Sequence, residues 1–233
     1  MISSILSDAS PSCRNCRFAP FCWHEEKQPR SKQSSRAAKR QRHLKRKEIL
    51  CLPNHKFQNL YVVQSGALKA YQVDANGKEL IRDFYFAGEV LGYEAIYTGH
   101  YLFSAVALSD TLICEIPYDS FLELIYSKPP LQKRILYLIS QQLNVGSYLD
   151  SVTLEQRLAA FLIDLSTRLH PLEMQTEFTL PMSRQDIGSY LRLTAETVSR
   201  IFSRLHKNKI IAIDNKKIRF LELDKLKKIA SGE

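Results

Sequence analysis

The sequence predicts an α+β protein, with an N-terminal β-roll joined by a long dimerisation helix to a C-terminal winged helix-turn-helix. Three observations predict it. Between about Ile49 and Pro117, short β-branched and aromatic runs alternate with glycine and asparagine turns, the pattern of an antiparallel roll or barrel. From about Pro130 to Val152, apolar residues recur at alternating spacings of four and three. From Ser183 onward, a helix, a tight turn, a second helix and a hairpin follow one another. The expected boundaries are a cysteine-rich arm over 1–26, a basic connector over 27–48, the roll over 49–126, the dimerisation helix over 127–152 and the winged domain over 153–233.

The arm carries Cys13, Cys16 and Cys22; the chain's other two cysteines are Cys51 and Cys114. Cys13-Arg14-Asn15-Cys16 is a C-x2-C, whose small loop lets two thiolates point at one centre. Cys22 follows from a segment that Pro20 holds out of a regular helix. Soft thiolates suit both zinc and iron–sulfur clusters, and the spacing does not choose between them. A cubane cluster takes four ligands. The fourth would come from Cys51, Cys114 or a histidine, of which His24 alone lies within the cysteine cluster. Arg14 and Arg17 would stabilise an anionic all-thiolate site.

The connector holds most of what makes the chain basic. Ten Lys and Arg residues and no acid lie between Lys27 and Lys47. That segment carries +10 of a net +9, so the rest of the chain totals −1. It reads either as a solvated, partly helical stretch or as a second contact with DNA phosphates or an acidic partner. The chain of 233 residues is 45 % hydrophobic and 24 % charged, the balance of a globular protein, which argues against disorder over most of its length. No run approaches 18 apolar residues and the first twelve residues lack a basic, then apolar, leader pattern. A cytoplasmic protein with no membrane partner is expected.

In the roll, Leu60–Val63 reads as a strand broken by Ser65-Gly66, and Ala67–Val73 alternates as the next. Asp74-Ala75-Asn76-Gly77 is a turn signal, because Asn-Gly accepts positive φ. Leu80–Phe86 resumes as a strand, a further turn falls at Gly92, and Ser104–Leu108 and Thr111–Ile116 flank Ser109-Asp110. Tyr118–Tyr126 looks helical. In the long helix, Leu131, Ile135, Leu138, Gln142, Val145, Leu149 and Val152 form one seam, and Leu136, Ile139, Leu143, Gly146 and Asp150 lie beside it. A helix with two such stripes needs two partners, the roll and a second copy of itself. Ile135, Leu136, Ile139, Leu143, Gly146 and Asp150 are the residues expected to pair.

In the C-terminal part, Glu155–His170 is a helix stopped by Pro171. Ser183 caps a short helix to Leu191, with Asp186 at the third position. Arg192-Leu193 is the turn, and Thr194 caps a helix to about Lys207 that buries Val198, Ile201 and Leu205. Ile210–Ile213 and Ile218–Leu221 flank Asp214-Asn215-Lys216-Lys217 as a hairpin. Spacing of three and four places Glu196, Ser199, Arg200 and Ser203 on one face. Arg can bond guanine bidentately, Glu can accept from cytosine N4, and Ser can do either. Arg184 and Thr197 are further candidate DNA contacts. Six basic and two acidic residues between Ser183 and Lys209 suit a polyphosphate partner.

Together these residues resemble the CRP/FNR superfamily of bacterial transcription regulators, within it the oxygen-responsive type that regulates fumarate and nitrate reduction. Cys13-x2-Cys16-x5-Cys22 is similar to the family's N-terminal ligand spacing. Leu112-Ile113-Cys114-Glu115-Ile116-Pro117 resembles the segment holding its fourth ligand, and Asp186-Ile187-Gly188-x-Tyr190-Leu191 through Glu196-Thr197-Val198-Ser199-Arg200 resembles its helix-turn-helix. The resemblance implies a cyclic-nucleotide-binding-like jelly roll and a [4Fe–4S] cluster on Cys13, Cys16, Cys22 and Cys114, with Cys51 a bystander. It implies a homodimer, stable while the cluster is intact. It implies Glu196, Ser199 and Arg200 reading half-sites like TTGAT in an inverted repeat of double-stranded DNA, and the loop Asp74–Glu79 facing RNA polymerase. The chain departs from the family in having Arg192 where the turn usually has glycine, and Gly146 where the interface aspartate stands, with Asp150 one turn on. A non-glycine residue at positive φ in that turn would cost about 1 kcal/mol.

The superfamily's cyclic-nucleotide-sensing branch is a rival, since Gly88-Glu89-Val90-Leu91-Gly92 resembles its phosphate-binding turn. Against it, Phe103-Ser104 stands where an Arg-Ser or Arg-Thr pair would neutralise the phosphate, and no Lys or Arg lies between Gly88 and Leu112. An enzyme or electron carrier using the cluster is a second rival; no glycine-rich nucleotide loop or nucleophile motif supports it. A third keeps the DNA function but makes the thiols a zinc site.

Overall fold

The structure, a computed structural model, describes residues 40–127, 129–144, 153–170 and 175–233. The arm with Cys13, Cys16, Cys22 and His24, most of the connector, and Gly146 and Asp150 lie outside the described residues. The chain divides into two compact units, one of residues 1–70 and 84–143, the other of residues 71–83 and 144–233.

The roll has eight strands: β1 (Arg40–Leu44), β2 (Ile49–Cys51), β3 (Asn59–Ser65), β4 (Ala67–Val73), β5 (Glu79–Phe86), β6 (Val90–Leu91), β7 (Ser104–Ala107) and β8 (Thr111–Pro117), with a one-turn helix α1 (Ala95–Thr98) between β6 and β7; residues 71–73 of β4 and 79–83 of β5 fall in the second unit and the rest in the first. They form two four-stranded sheets, ordered β1-β8-β3-β6 and β2-β7-β4-β5. Leu44, Leu60, Val62, Val63 and Ile113 of the first sheet share one buried core with Leu68, Ala70, Tyr85 and Ala105 of the second. The apolar runs of the sequence thus become the strands that this core needs. The expected turn at Asp74–Gly77 forms. Asp74 Oδ1 accepts the backbone N–H groups of Asn76 (2.8 Å) and Lys78 (2.9 Å), and Gly77 has φ 78°.

Arg40–Leu44, read as the end of a solvated, partly helical connector, is strand β1, paired antiparallel with β8 from Arg40↔Glu115 to Leu44↔Thr111. Its basic residues conceal it in the sequence, yet an edge strand is where such charges belong, because they discourage pairing with another chain. Arg42 reaches Glu48 (3.3 Å) and Glu115 (3.9 Å).

Helix α2 (Tyr118–Ser127) and helix α3 (Pro129–Asn144) close the unit. Pro129 stands at the first position of α3, where its missing N–H costs no hydrogen bond. Ile135 (4 % exposed) and Leu138 (8 %) belong to the roll's core, and Ile139 packs against it. Leu136 (68 %) and Tyr137 (58 %) face away. Ile135 is therefore a core residue rather than one of the pairing residues expected of it; a periodicity of seven marks two stripes without saying which one the roll takes.

The second unit is built on helix α4 (Leu154–Leu169), strand β9 (Glu177–Thr179), helix α5 (Arg184–Leu191), helix α6 (Ala195–Lys207), the hairpin β10 (Ile211–Asp214) and β11 (Lys217–Phe220), and helix α7 (Leu223–Ser231). Thr153 and Gln156 form a reciprocal capping box at the start of α4, and Ser183 and Asp186 another at the start of α5. Strand β9 joins the hairpin in a three-stranded sheet, β10-β11-β9. Leu158, Phe161, Leu162 and Leu165 of α4 are buried, as are Ile187 and Leu191 of α5, Val198, Ile201, Phe202 and Leu205 of α6, and Leu226 of α7.

Candidate functional site

The second unit exposes one polar face of α6. Thr194 starts the helix by accepting the N–H of Thr197 on its hydroxyl (3.1 Å). The two threonine hydroxyls also meet at 2.8 Å, so Thr197 is partly engaged in the cap. Val198, Ile201, Phe202 and Leu205 face inward, which leaves Glu196, Ser199, Arg200 and Ser203 exposed on the other side, as the spacing predicts. Arg200 Nη2 lies 2.5 Å from Glu196 Oε1, a pair one helical turn apart with both side chains more than two-thirds exposed. Such a pair adds little stability. Its consequence is orientation, since it holds a fork of donors and a carboxylate acceptor side by side. Ser199 donates to the Ala195 carbonyl (2.8 Å) and keeps its oxygen free to accept.

The approach of α5 to α6 depends on glycine. A Cβ on Gly188 would fall 2.9 Å from the Leu193 carbonyl oxygen and 3.2 Å from the Ala195 nitrogen. The turn itself keeps the glycine-like geometry without a glycine. Arg192 adopts φ 59°, ψ 42°, and the N–H of Leu193 closes on the Gly188 carbonyl at 2.8 Å. Helix α4 ties down both helices. Arg157 donates to the Leu191 carbonyl (3.1 Å) at the end of α5, and Arg204 of α6 sits on both carboxylate oxygens of Glu155 (3.1 and 2.6 Å).

Arg184 is the expected contact that the structure places differently. Its guanidinium stacks on the Phe202 ring, 3.3 Å from the centroid, and Nη1 is buried without a hydrogen-bond partner among the described residues. Burial lowers its pKa to about 10. Arg184 therefore packs α5 against α6, and it does so through a cation–π contact.

In the first unit, Cys114 lies in the middle of β8, opposite Gln41 of β1 and Val62 of β3. Its sulfur is buried and accepts a hydrogen bond from the Gln64 side-chain amide. The carbonyl of that amide accepts from Gln41 Nε2 (3.3 Å). Cys51 is the contrast. It sits in the other sheet, its thiol 3.9 Å from the Phe103 carbonyl, and burial pushes its pKa up to about 12. It behaves as a small core side chain. Among the described residues no three His, Cys, Asp or Glu side chains gather as a metal site. A buried sulfur facing an N–H donor fits a thiolate ligand, so Cys114 suits the thiolate chemistry of a cluster better than Cys51 does. Gln41 and Gln64 escape a sequence reading; the one signal was a glutamine closing the apolar run Leu60–Val63.

Phe103 and Ser104, at the place where a phosphate-binding cation would stand, are both buried, and Phe103 is part of the roll's core.

The comparisons with known proteins match both units. Residues 41–128 match the cyclic nucleotide-binding domain family, and residues 156–229 the Crp-like helix-turn-helix domain family. The chain is 33 % identical to the transcriptional activator protein Anr of Pseudomonas protegens, over 94 % of this chain and 93 % of that one. It is 31 % identical to the fumarate and nitrate reduction regulatory protein of Escherichia coli K12, over 94 % and 90 %. Among solved structures, FixK2 of Bradyrhizobium japonicum is similar, with a TM-score of 0.72, 26 % identity, and coverage of 82 % of this chain and 96 % of that one.

Proposed function

The chain belongs to the CRP/FNR family of DNA-binding transcription regulators, of the type that governs the anaerobic response, and on that premise we propose that it is a homodimeric activator whose grip on DNA depends on oxygen. It is a regulator and not an enzyme, as its relatives are.

The observation that carries the reading is the exposed face of α6. Glu196, Ser199, Arg200 and Ser203 stand in solvent on a helix whose opposite side is core. Two such helices, one DNA turn or about 34 Å apart, would read an inverted repeat in the major groove. Pairing falls to the second stripe of α3, where Leu136 is exposed, with Ile139 beside it, and where Leu143, Gly146 and Asp150 continue the spacing. RNA polymerase is the proposed partner of the turn Asp74–Glu79.

Cys13, Cys16, Cys22 and Cys114 are the proposed ligands of a [4Fe–4S] cluster. Bound there, it would supply an air-labile tie among four sulfurs. The chain's own contribution is placement. Cys114 sits on a strand paired on both sides, in the same unit as α3, while Cys51 stays a protonated core thiol. Zinc on the same thiols would leave a regulator blind to oxygen.

The test is anaerobic purification followed by sedimentation and a DNA-binding assay, repeated after exposure to air. A brown dimer that binds an inverted repeat anaerobically, and turns to a colourless monomer with weak binding in air, is the expected result. An unchanged dimer after full exposure would contradict the switch, and a colourless anaerobic protein would contradict the cluster.

A further inference from the structure

Strand β3 runs in register with β8 up to Val63↔Ile113, and then slips, with Ser65 opposite Leu112. Gln64 is the extra residue of this β-bulge. Bulges re-aim a side chain out of the regular alternation. Here the re-aimed side chain is the amide that donates to the Cys114 sulfur. Gln41 Nε2 donates to Gln64 Oε1 (3.3 Å), and the Gln64 NH2 is the end that faces the sulfur. Gln64 is buried, so water does not compete for the bond. Gln41 stands directly across from Cys114 in the β1–β8 ladder, which completes a directed chain from Gln41 through Gln64 to Cys114.

We propose that Gln64 is a positioning residue for the Cys114 ligand, holding its sulfur as a thiolate acceptor and thereby setting how tightly the cluster is kept. The inference rests on the cluster reading above. An N–H donor withdraws charge from a coordinated sulfur, and hydrogen bonds to ligand sulfurs tune both retention and potential of an iron–sulfur centre. Gln41 acts one step further out, through the orientation of the Gln64 amide.

The experiment compares wild type with Gln64→Leu, Gln64→Glu and Gln41→Leu, each reconstituted anaerobically with iron and sulfide. The readouts are the rate of iron release to a ferrous chelator without oxygen, and the visible charge-transfer absorption. Gln64→Leu deletes the donor at similar volume, and Gln64→Glu keeps the shape while turning an acceptor toward the sulfur. Both are expected to load a cluster and release its iron about 10-fold faster, with the absorption moved to longer wavelength. Gln41→Leu should shift both readouts the same way and by less. Should Gln64→Leu fail to fold, the isosteric Gln64→Glu and the peripheral Gln41→Leu decide the matter. Release rates and spectra equal to wild type would overturn the role of Gln64 and leave the cluster standing. A wild type that takes up no iron and sulfide would overturn the cluster reading, and this inference with it.

Discussion

Arg200 and Glu196 form an exposed ion pair that adds hardly anything to stability, and its proposed importance lies in base reading. Replacing Arg200 with Ala removes the only arginine among the exposed reading residues 196, 199, 200 and 203. It should weaken binding by roughly 1–3 kcal/mol and relax preference at one base pair, measured by titrating site variants. Loss that is uniform across all variants would assign Arg200 to a phosphate instead. Glu94 makes the opposite point, as a charge with a cost to the fold. Its Oε2 accepts the Gly92 N–H at 3.2 Å, while Oε1 is buried with no hydrogen-bond partner among the described residues. Burial raises its pKa above the ordinary value of 4.5, against the lowering effect of the backbone N–H groups of Glu94 and Gly92. The folded state then holds the proton more tightly than the unfolded state. The contribution to stability is full below pH 4.5 and declines as pH rises through the raised value. Thermal melts of wild type and Glu94→Gln should therefore diverge as pH rises from 4.5 towards 8, with the variant the more stable. Parallel curves would remove the ionised carboxylate from the account.

At the scale of elements, the helix-turn-helix rests on two unlike backbone positions. Gly188 gives space, so Gly188→Ala should force α5 away from the turn, lower the melting point by an amount equivalent to roughly 1–3 kcal/mol, and reduce DNA affinity. Arg192 stands in the left-handed region that glycine favours. Arg192→Gly should stabilise the domain by about 1 kcal/mol by relieving a left-handed non-glycine residue, with a higher melting point as the sign. The same elements show what was legible beforehand. The Ser183–Asp186 capping box and the apolar face of α6 declare themselves through side-chain chemistry, and the strands over 60–63 and 67–73 through their β-branched runs. Strand β1 does not, because Arg-Gln-Arg-His reads as solvated charge until a neighbour supplies its ladder. Three-residue β9 is too short to carry a period. The bulge at Gln64 depends on the register of two strands far apart in sequence, which one strand's residues cannot disclose.

For the whole molecule, the proposed assembly turns on which stripe of α3 stays free of the roll. Seven-residue spacing said that the helix has two apolar stripes; only packing says that Ile135 and Leu138 belong to the roll and Leu136 to the outside. Leu136→Glu should leave the roll intact, with an unchanged melting point in air, where both proteins are expected to be monomers, and shift the sedimentation equilibrium towards monomer under anaerobic conditions. A full-strength dimer in that variant would move the pairing surface elsewhere.

Strand β1 has a consequence for that equilibrium. One margin of its sheet is a rib bearing Arg40, Arg42 and His43, and the opposite margin, β6, is two residues long. A fellow molecule arriving flank-first would meet like charge on one border and scarcely any backbone to zip onto at the other. Edge-to-edge growth of this sheet is thereby disfavoured.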